Sequence, residues 1–162
     1  MNEGGRELLI IFAKAPELGK VKTRIARDIG HQKALEVYQS LLCRTFNTAS
    51  NTGKHVHVCL AGNMPKNLKL PDHFTVSPQI GKDIGERMHN GIAEGLQNGF
   101  QKVVLIGGDI YELHENIINK AFLELDKVDI VLGPAKDGGY YLIGMKKENP
   151  VVDGEFQRAE SS

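Results

Sequence analysis

An uninterrupted apolar run, Leu8 to Ala13, lies near the start of the chain and constrains the fold more than any other feature. Its residues do not alternate between apolar and polar, which is expected of a strand covered on both faces. A second run of this kind is Val103 to Ile106. Strands covered on both faces are typical of parallel sheets with helices on each side, so we expect an α/β fold built from β-α-β units.

Helix-length segments with apolar residues at three- and four-residue steps separate the candidate strands. These segments are His31 to Ala49, Ile84 to near Gly99, and Leu113 to Leu125. The further predicted strands are His55 to Leu60, Phe74 to Ser77, Asp129 to Leu132 and Tyr140 to Met145. This order predicts a three-layer α/β/α sandwich with a mainly parallel sheet. One domain is expected over residues 1–145, and a disordered or loosely docked polar tail over residues 146–162.

Composition excludes several classes of protein. With Lys+Arg 20 and Asp+Glu 20, the net charge is zero, so no overall field attracts nucleic acid or an anionic membrane. The two cysteines, Cys43 and Cys59, form no Cys-x-x-Cys pair, which argues against a disulfide scaffold or a thiolate zinc site. The apolar runs are too short to span a bilayer. We therefore expect a cytoplasmic protein without a membrane span or a nucleic-acid partner; composition does not predict its oligomeric state.

The loop that follows the first strand carries Lys14, Lys20, Lys22 and Arg24 within eleven residues, together with a proline and a glycine. In α/β folds the carboxyl end of the first strand faces the ligand crevice, where backbone N–H groups and a helix N-terminus favour anions. The second apolar run ends at Asp109, a residue type that binds hard cations such as Mg²⁺. Together these features predict a metal-assisted nucleotide site.

Several well-known nucleotide and hydrolase motifs are absent from the sequence. No Gly-x-Gly-x-x-Gly follows the first strand, and no Gly-x-x-x-x-Gly-Lys-Ser/Thr occurs, which argues against a dinucleotide Rossmann site and a P-loop. The Gly-x-Ser-x-Gly elbow and His-Glu-x-x-His are also missing.

Some of these residues also have simpler structural interpretations. A basic loop after a strand is often only a solvated turn. Asp83 lies three residues before Glu86 in the pattern of a helix capping box, so we expect both residues to cap a helix. Asp109 could likewise cap the helix that begins near His114, although metal binding is the favoured interpretation.

Four segments, in this order and spacing, resemble the nucleotide-diphospho-sugar transferase superfamily with the glycosyltransferase A (GT-A) fold. The closest resemblance is to a small bacterial glycosyltransferase family that was once a domain of unknown function and is often found in radical-SAM gene neighbourhoods. The segments are Lys14-Ala-Pro-Glu-Leu-Gly-Lys-Val-Lys-Thr-Arg24, Gln79-Ile-Gly-Lys-Asp-Ile-Gly-Glu-Arg-Met88, Gly107-Gly-Asp109 and Gly133-Pro-Ala-Lys-Asp-Gly-Gly-Tyr-Tyr-Leu-Ile-Gly144.

The resemblance implies roles for four residues of the first loop. Lys14, Lys22 and Arg24 would contact the diphosphate of a nucleotide-sugar, since lysine and arginine bind phosphate oxygens. Gly19 would let the backbone approach the diphosphate closely.

The other motifs supply the remaining expected site residues. Gln79 and Arg87 would lie against the nucleotide base or ribose. Asp109 would coordinate a divalent cation, Mg²⁺ or Mn²⁺, that neutralises charge on the leaving group. Asp137 is the candidate base for a small acceptor.

The sequence departs from the family pattern in two places. The usual Gly-Ser-Asp-x-Pro is Gly107-Gly-Asp-Ile-Tyr111 here, and related proteins continue for a further strand and helix. The superfamily also contains nucleotidylyltransferases, which release pyrophosphate. We therefore expect a metal-dependent glycosyltransferase, with a nucleotidylyltransferase as the alternative and a truncated, non-catalytic nucleotide-binding domain as the second alternative.

Overall fold

The computed structural model describes residues 6–63, 66, 69–136 and 138–147. The strands are β1 (Glu7–Lys14), β2 (His55–Ala61), β3 (Thr75–Pro78), β4 (Lys102–Gly107), β5 (Ile130–Pro134) and β6 (Tyr140–Lys146). The helices are α1 (Thr23–Ile29), α2 (His31–Ser50), α3 (Ile84–Gln97) and α4 (Glu115–Glu124).

The strands of the described residues form one six-stranded sheet in the order β3-β2-β1-β4-β6-β5. β1 pairs in parallel with β2 and β4, and β2 pairs in parallel with β3. β6 runs antiparallel to both β4 and β5. The predicted mainly parallel sheet is therefore confirmed, and β6 is the strand that reverses direction.

Both faces of the sheet are buried, as the uninterrupted apolar run of β1 predicts. Leu9 and Ile11 point to a core shared with α2 and α4, whereas Leu8, Ile10 and Phe12 point to a second core under α3. Since successive residues of a strand face opposite sides, both sets must be apolar. The result is the predicted three-layer α/β/α sandwich.

Oppositely charged side chains pair at the sheet edge where the parallel strands begin. Glu7 accepts from Lys54 at 2.7 Å and lies 3.7 Å from Lys102, which also pairs with Asp126. This end of the sheet is opposite to the strand ends that build the cleft described below.

The predicted elements are all present, with boundaries within a few residues, and one helix was missed. α1 was treated as part of the basic loop, because only Ala26 among its residues is buried and no apolar stripe marks it. β6 extends to Lys146, one residue beyond the predicted domain boundary. The predicted tail from residue 148 onward lies outside the described residues.

Candidate functional site

The candidate site forms where the order of the parallel strands reverses. β1 is flanked by β2 on one side and β4 on the other, so the connections that leave β1 and β4 run towards opposite edges of the sheet. A crevice opens at such a point, beyond the carboxyl ends of the strands. The segments after β1, β3 and β4 meet there, which brings together three sequence motifs that are distant along the chain.

A cleft of about 520 Å³ lies at this point. Among the described residues, four cationic side chains and two carboxylates line it, over an apolar floor. The cationic residues are Lys14, Lys22, Lys82 and Arg87; the carboxylates are Asp83 and Asp109; the floor and walls include Phe12, Ala13, Val21, Tyr38, Ala61, Gln79, Ile84 and Gly108. Positive charge thus exceeds negative charge in the described part of the cleft.

An ion pair crosses the cleft between the basic loop and the end of β4. Lys22 Nζ lies 2.9 Å from Asp109 Oδ2, and the two side chains are 28% and 36% exposed. Lys22 is the one non-glycine residue with positive φ in the described part of the chain, at φ 49° and ψ 43°. A left-handed conformation is unfavourable for lysine, so the loop holds this residue against a local cost.

The start of the basic loop is fixed by a buried tyrosine from α2. The Tyr38 hydroxyl donates to Lys14 O at 2.6 Å and accepts from Lys14 N at 2.9 Å. Burial raises the pKa of Tyr38 to about 12; the hydrogen bond with the Lys14 backbone opposes this shift, and the negative charge of Asp109 adds to it. The phenol therefore stays protonated and keeps both hydrogen bonds.

Gln79 and Arg87 line another wall of the cleft and are hydrogen-bonded to each other and to the backbone. Gln79 Nε2 donates to Ala13 O at 3.1 Å and to Cys59 O at 3.2 Å, which ties the ends of β1 and β2 together. Arg87 donates from Nε to Gly81 O at 3.0 Å and from an Nη to Gln79 Oε1 at 3.4 Å. The amide of Gln79 is thus engaged within the chain, while the guanidinium keeps further N–H groups for a ligand.

Asp83 and Glu86 cap α3, as their spacing predicted. Asp83 Oδ1 accepts from Glu86 N at 2.8 Å at the N-cap position, and Glu86 Oε1 accepts from Lys82 N at 3.1 Å. The structure also excludes the capping alternative for Asp109, because His114 is the N-cap residue of α4.

Gly108 lies where the family pattern usually has serine, and its surroundings leave no space for a side chain. A Cβ atom there would lie 2.9 Å from Ala13 Cβ and 3.0 Å from Leu42 Cδ1. The carbonyl of Gly108 accepts from the buried Thr45 hydroxyl at 2.9 Å. At the position of the usual proline, Tyr111 lies under the Arg44 guanidinium at 4.7 Å. Both departures are thus accommodated locally, and Asp109 still faces the cleft.

The structure groups most, but not all, of the predicted site residues. Lys14, Lys22, Gln79, Arg87 and Asp109 line the cleft. Two predicted diphosphate-binding residues do not line it: Gly19, at φ 81°, and the exposed Arg24 on the first turn of α1. The candidate base Asp137 lies outside the described residues.

Two further residues of the cleft were missed as site residues. Tyr38 belongs to the apolar stripe of α2, and Lys82 is an isolated cation in a glycine-containing loop. The hydroxyl within an apolar stripe was an available signal for Tyr38, because a buried tyrosine hydroxyl usually has a partner. No comparable signal distinguishes Lys82 from a solvated lysine.

The described residues fit a divalent cation only together with a ligand. They include no group of three His, Cys, Asp or Glu side chains that could form a protein-only metal site. Mg²⁺, however, is commonly held by one or two carboxylates and the phosphates of a substrate. The Asp109 carboxylate, at a strand end in a cationic cleft, fits that arrangement.

A second cavity, of about 360 Å³, lies on the α3 face of the sheet beside β2 and β3. His55 and His57 both line it, because residues two apart on a strand face the same side of the sheet. The His57 ring bridges Thr75 Oγ1 at 2.5 Å and Ser77 Oγ at 2.6 Å. Burial lowers the pKa of His57 below its usual 6.5, and Glu94 partly opposes the shift.

Comparison with known families identifies the chain. The family described as "Uncharacterized protein conserved in bacteria (DUF2064)" matches residues 45–161. The chain belongs to this family. The DUF2064 match includes Gln79, Arg87 and Asp109, and it extends over most of the segment predicted as a tail. Curated proteins gave no significant match.

Solved structures share the fold of this DUF2064 protein. A "putative nucleotide-diphospho-sugar transferase" from Desulfovibrio desulfuricans G20 is 29% identical, with a TM-score of 0.83 over 96% of this chain and 77% of that chain. The 4-diphosphocytidyl-2C-methyl-D-erythritol synthase of Anaerococcus prevotii is 12% identical, with a TM-score of 0.56 over 99% and 78%. Rv0371c from Mycobacterium tuberculosis is 14% identical, with a TM-score of 0.52 over 94% and 76%. The fold class and the superfamily resemblance are confirmed.

In the part of the chain that the structure describes, no helix has the length and apolar character needed to cross a membrane.

Proposed function

We propose that this DUF2064 protein is a transferase that binds a nucleoside-diphosphate sugar in the cleft and moves the sugar to a small acceptor. The observation that carries the proposal is the meeting of four cationic side chains and Asp109 at the strand-order reversal. The fold shared with the Desulfovibrio protein, described as a "putative nucleotide-diphospho-sugar transferase", supports the same substrate class.

The chain's own residues suggest a division of roles. Lys14 and Lys22 bind the diphosphate from the basic loop, and Arg87 contacts it or the ribose from the opposite wall. Gln79 holds Arg87 in place rather than contacting the base, because its amide already bonds within the chain. Tyr38 fixes the backbone of Lys14 through two hydrogen bonds. The start of the basic loop is therefore already oriented when the diphosphate binds.

A divalent cation would be held by Asp109 and the diphosphate. When bound, it would supply charge neutralisation for the departing nucleoside diphosphate. Asp137 is our candidate for the base that takes the proton from the acceptor. Gly19 and Arg24 would contact the diphosphate only if the basic loop closed over it.

The test is calorimetric titration of the full chain with UDP-, GDP-, CDP- and ADP-sugars and the four nucleoside triphosphates, each with Mg²⁺ or Mn²⁺ and again with EDTA. Metal-dependent binding of one diphospho-sugar is expected. Asp109→Ala should abolish the metal-dependent part, whereas Asp129→Ala, which removes a carboxylate paired with Lys146 at 3.6 Å at the other end of the sheet, should not. Unchanged affinity in Asp109→Ala would refute the metal assignment.

The titration, followed by turnover assays with added acceptors, separates the alternatives. A preference for a triphosphate, with pyrophosphate released on adding a phosphorylated acceptor, would replace sugar transfer by nucleotidyl transfer. Binding of a nucleotide-sugar without turnover across acceptors would indicate a nucleotide-binding domain.

A further inference from the structure

We infer that Lys22 occupies the cation position on Asp109 until a diphosphate draws the lysine away, so that metal and lysine compete for one carboxylate. The inference rests on the proposed function in assigning the cleft a diphosphate ligand. Its structural basis is the 2.9 Å ion pair between Lys22 Nζ and Asp109 Oδ2.

The local conformation of Lys22 supports a role beyond a surface ion pair. An exposed ion pair is worth at most about 1 kcal/mol, which is similar to the cost of a left-handed lysine. The loop therefore gains little stability from directing Lys22 at Asp109. Strained non-glycine residues of this kind are concentrated at ligand sites, where the strain is part of the function.

The cleft offers few protein ligands for a metal ion, so the ion pair between Lys22 and Asp109 affects metal binding directly. Because no three metal-binding side chains are grouped among the described residues, a cation at Asp109 needs phosphate oxygens to complete its coordination. Without a diphosphate, the cation must also displace the lysine from the carboxylate. With a diphosphate, the ammonium has a new anionic partner, and Asp109 is released to the metal. Metal binding without nucleotide is therefore suppressed.

Lys22→Met tests the competition with Mn²⁺ alone, because methionine keeps the aliphatic stem and removes the charge. Free Mn²⁺ is followed by electron paramagnetic resonance during titration of the full chain. Lys22→Met should bind Mn²⁺ about three- to tenfold tighter than wild type, since a screened ion pair and the repulsion of a nearby unit charge are each worth a factor of a few.

Lys20→Met is the matched control. It removes the same charge from the same loop, but Lys20 is exposed and lies 3.8 Å from Glu17, and it does not line the cleft. Its Mn²⁺ affinity should equal that of wild type. The gain in Lys22→Met should vanish when Asp109→Asn is added; a gain that survives would place the ion elsewhere and overturn the inference.

A second ligand distinguishes competition from a structural role. The preformed Mg²⁺–pyrophosphate complex should bind Lys22→Met more weakly than wild type, so the substitution acts in opposite directions on the two ligands. If Lys22 only supported the loop, its substitution would weaken the binding of both ligands, and that result would overturn the inference. Equal Mn²⁺ affinity in wild type and Lys22→Met would also overturn it. Lys22→Gly should reproduce both effects in a chain relieved of the left-handed strain.

The experiments distinguish failure of the proposed function from failure of the inference about Lys22. The Mn²⁺ titrations contain no nucleotide, so the absence of nucleotide-sugar binding would refute the proposed function while the competition between Lys22 and Mn²⁺ could still be measured.

Discussion

Gly108 is the position where the structure makes its sharpest energetic prediction. An added Cβ would lie 2.9 Å from Ala13 Cβ, 3.0 Å from Leu42 Cδ1 and 3.3 Å from Phe12 O. The end of the Leu42 side chain can move, but Ala13 Cβ is attached directly to the backbone of β1, which is paired on both sides. Gly108→Ala must therefore shift backbone or remain overpacked.

We expect Gly108→Ala to lower the free energy of unfolding by about 1–3 kcal/mol, the usual cost of overpacking a well-packed core. For a chain of this length the melting temperature should fall by about 2–4 °C for each kcal/mol. Urea denaturation with linear extrapolation measures the change. Gly108→Ser, which restores the usual family residue, should be destabilised to a similar extent.

Gly107→Ala is the matched control, because the adjacent Cβ would meet its nearest atom, Ile110 Cγ1, at an ordinary 3.4 Å. It should change the free energy of unfolding by less than about 0.5 kcal/mol. If Ala13 is the obstacle, Ala13→Gly and Gly108→Ala should be less damaging together than the sum of the single changes. Equal stability of Gly108→Ala and Gly107→Ala would refute the reasoning.

Two further substitutions test hydrogen-bonded side chains, the buried Tyr38 and the half-buried His57. Tyr38→Phe removes both hydrogen bonds to Lys14 and should cost about 1–2 kcal/mol, measured by urea denaturation. Because the pKa of Tyr38 rises from 10.0 to about 12, its contribution to the free energy of unfolding should be complete below pH 10 and decline as the pH rises towards 12. In an absorbance titration, the last tyrosine to ionise in wild type should be missing from Tyr38→Phe. His57→Gln should flatten the pH dependence of stability on the acidic side: the pKa of His57 is lowered, so its contribution is complete above pH 6.5 and is lost as the pH falls through the folded-state pKa. An unchanged pH profile in His57→Gln would contradict the assignment.

The fold was predictable because its signals are local. The apolar run of β1 reports burial on both faces directly, and the stripes of α2 and α3 have a period that only a helix explains. α1 carried no such signal, because Ile25 and Ile29 are partly exposed and only Ala26 is buried. A seven-residue helix of this kind is specified by its place between the basic loop and α2 rather than by its own pattern.

The candidate site was predictable only as a set of residues. The strand-end positions of Lys14 and Asp109 follow from the two apolar runs, and the capping role of Asp83 follows from its spacing to Glu86. The pairing of Lys22 with Asp109 depends on how a loop and a distant strand end meet in space. Likewise, the family resemblance implied that Gln79 and Arg87 lie against the nucleotide base or ribose, whereas the Gln79 amide nitrogen is bonded to Ala13 O and Cys59 O.

These contacts bear on how the cleft would bind an anion. Lys22 is paired with Asp109, and Arg87 with Gln79 and Gly81, before a ligand arrives. Binding at Lys22 is therefore an exchange of partners, and the affinity it contributes is the difference between a diphosphate and a carboxylate as acceptor. Arg87 differs, because its bonds leave guanidinium N–H groups available and orient them. A diphosphate would gain the full interaction with Arg87 but only the difference between two acceptors at Lys22, and that exchange would link its arrival to the availability of Asp109.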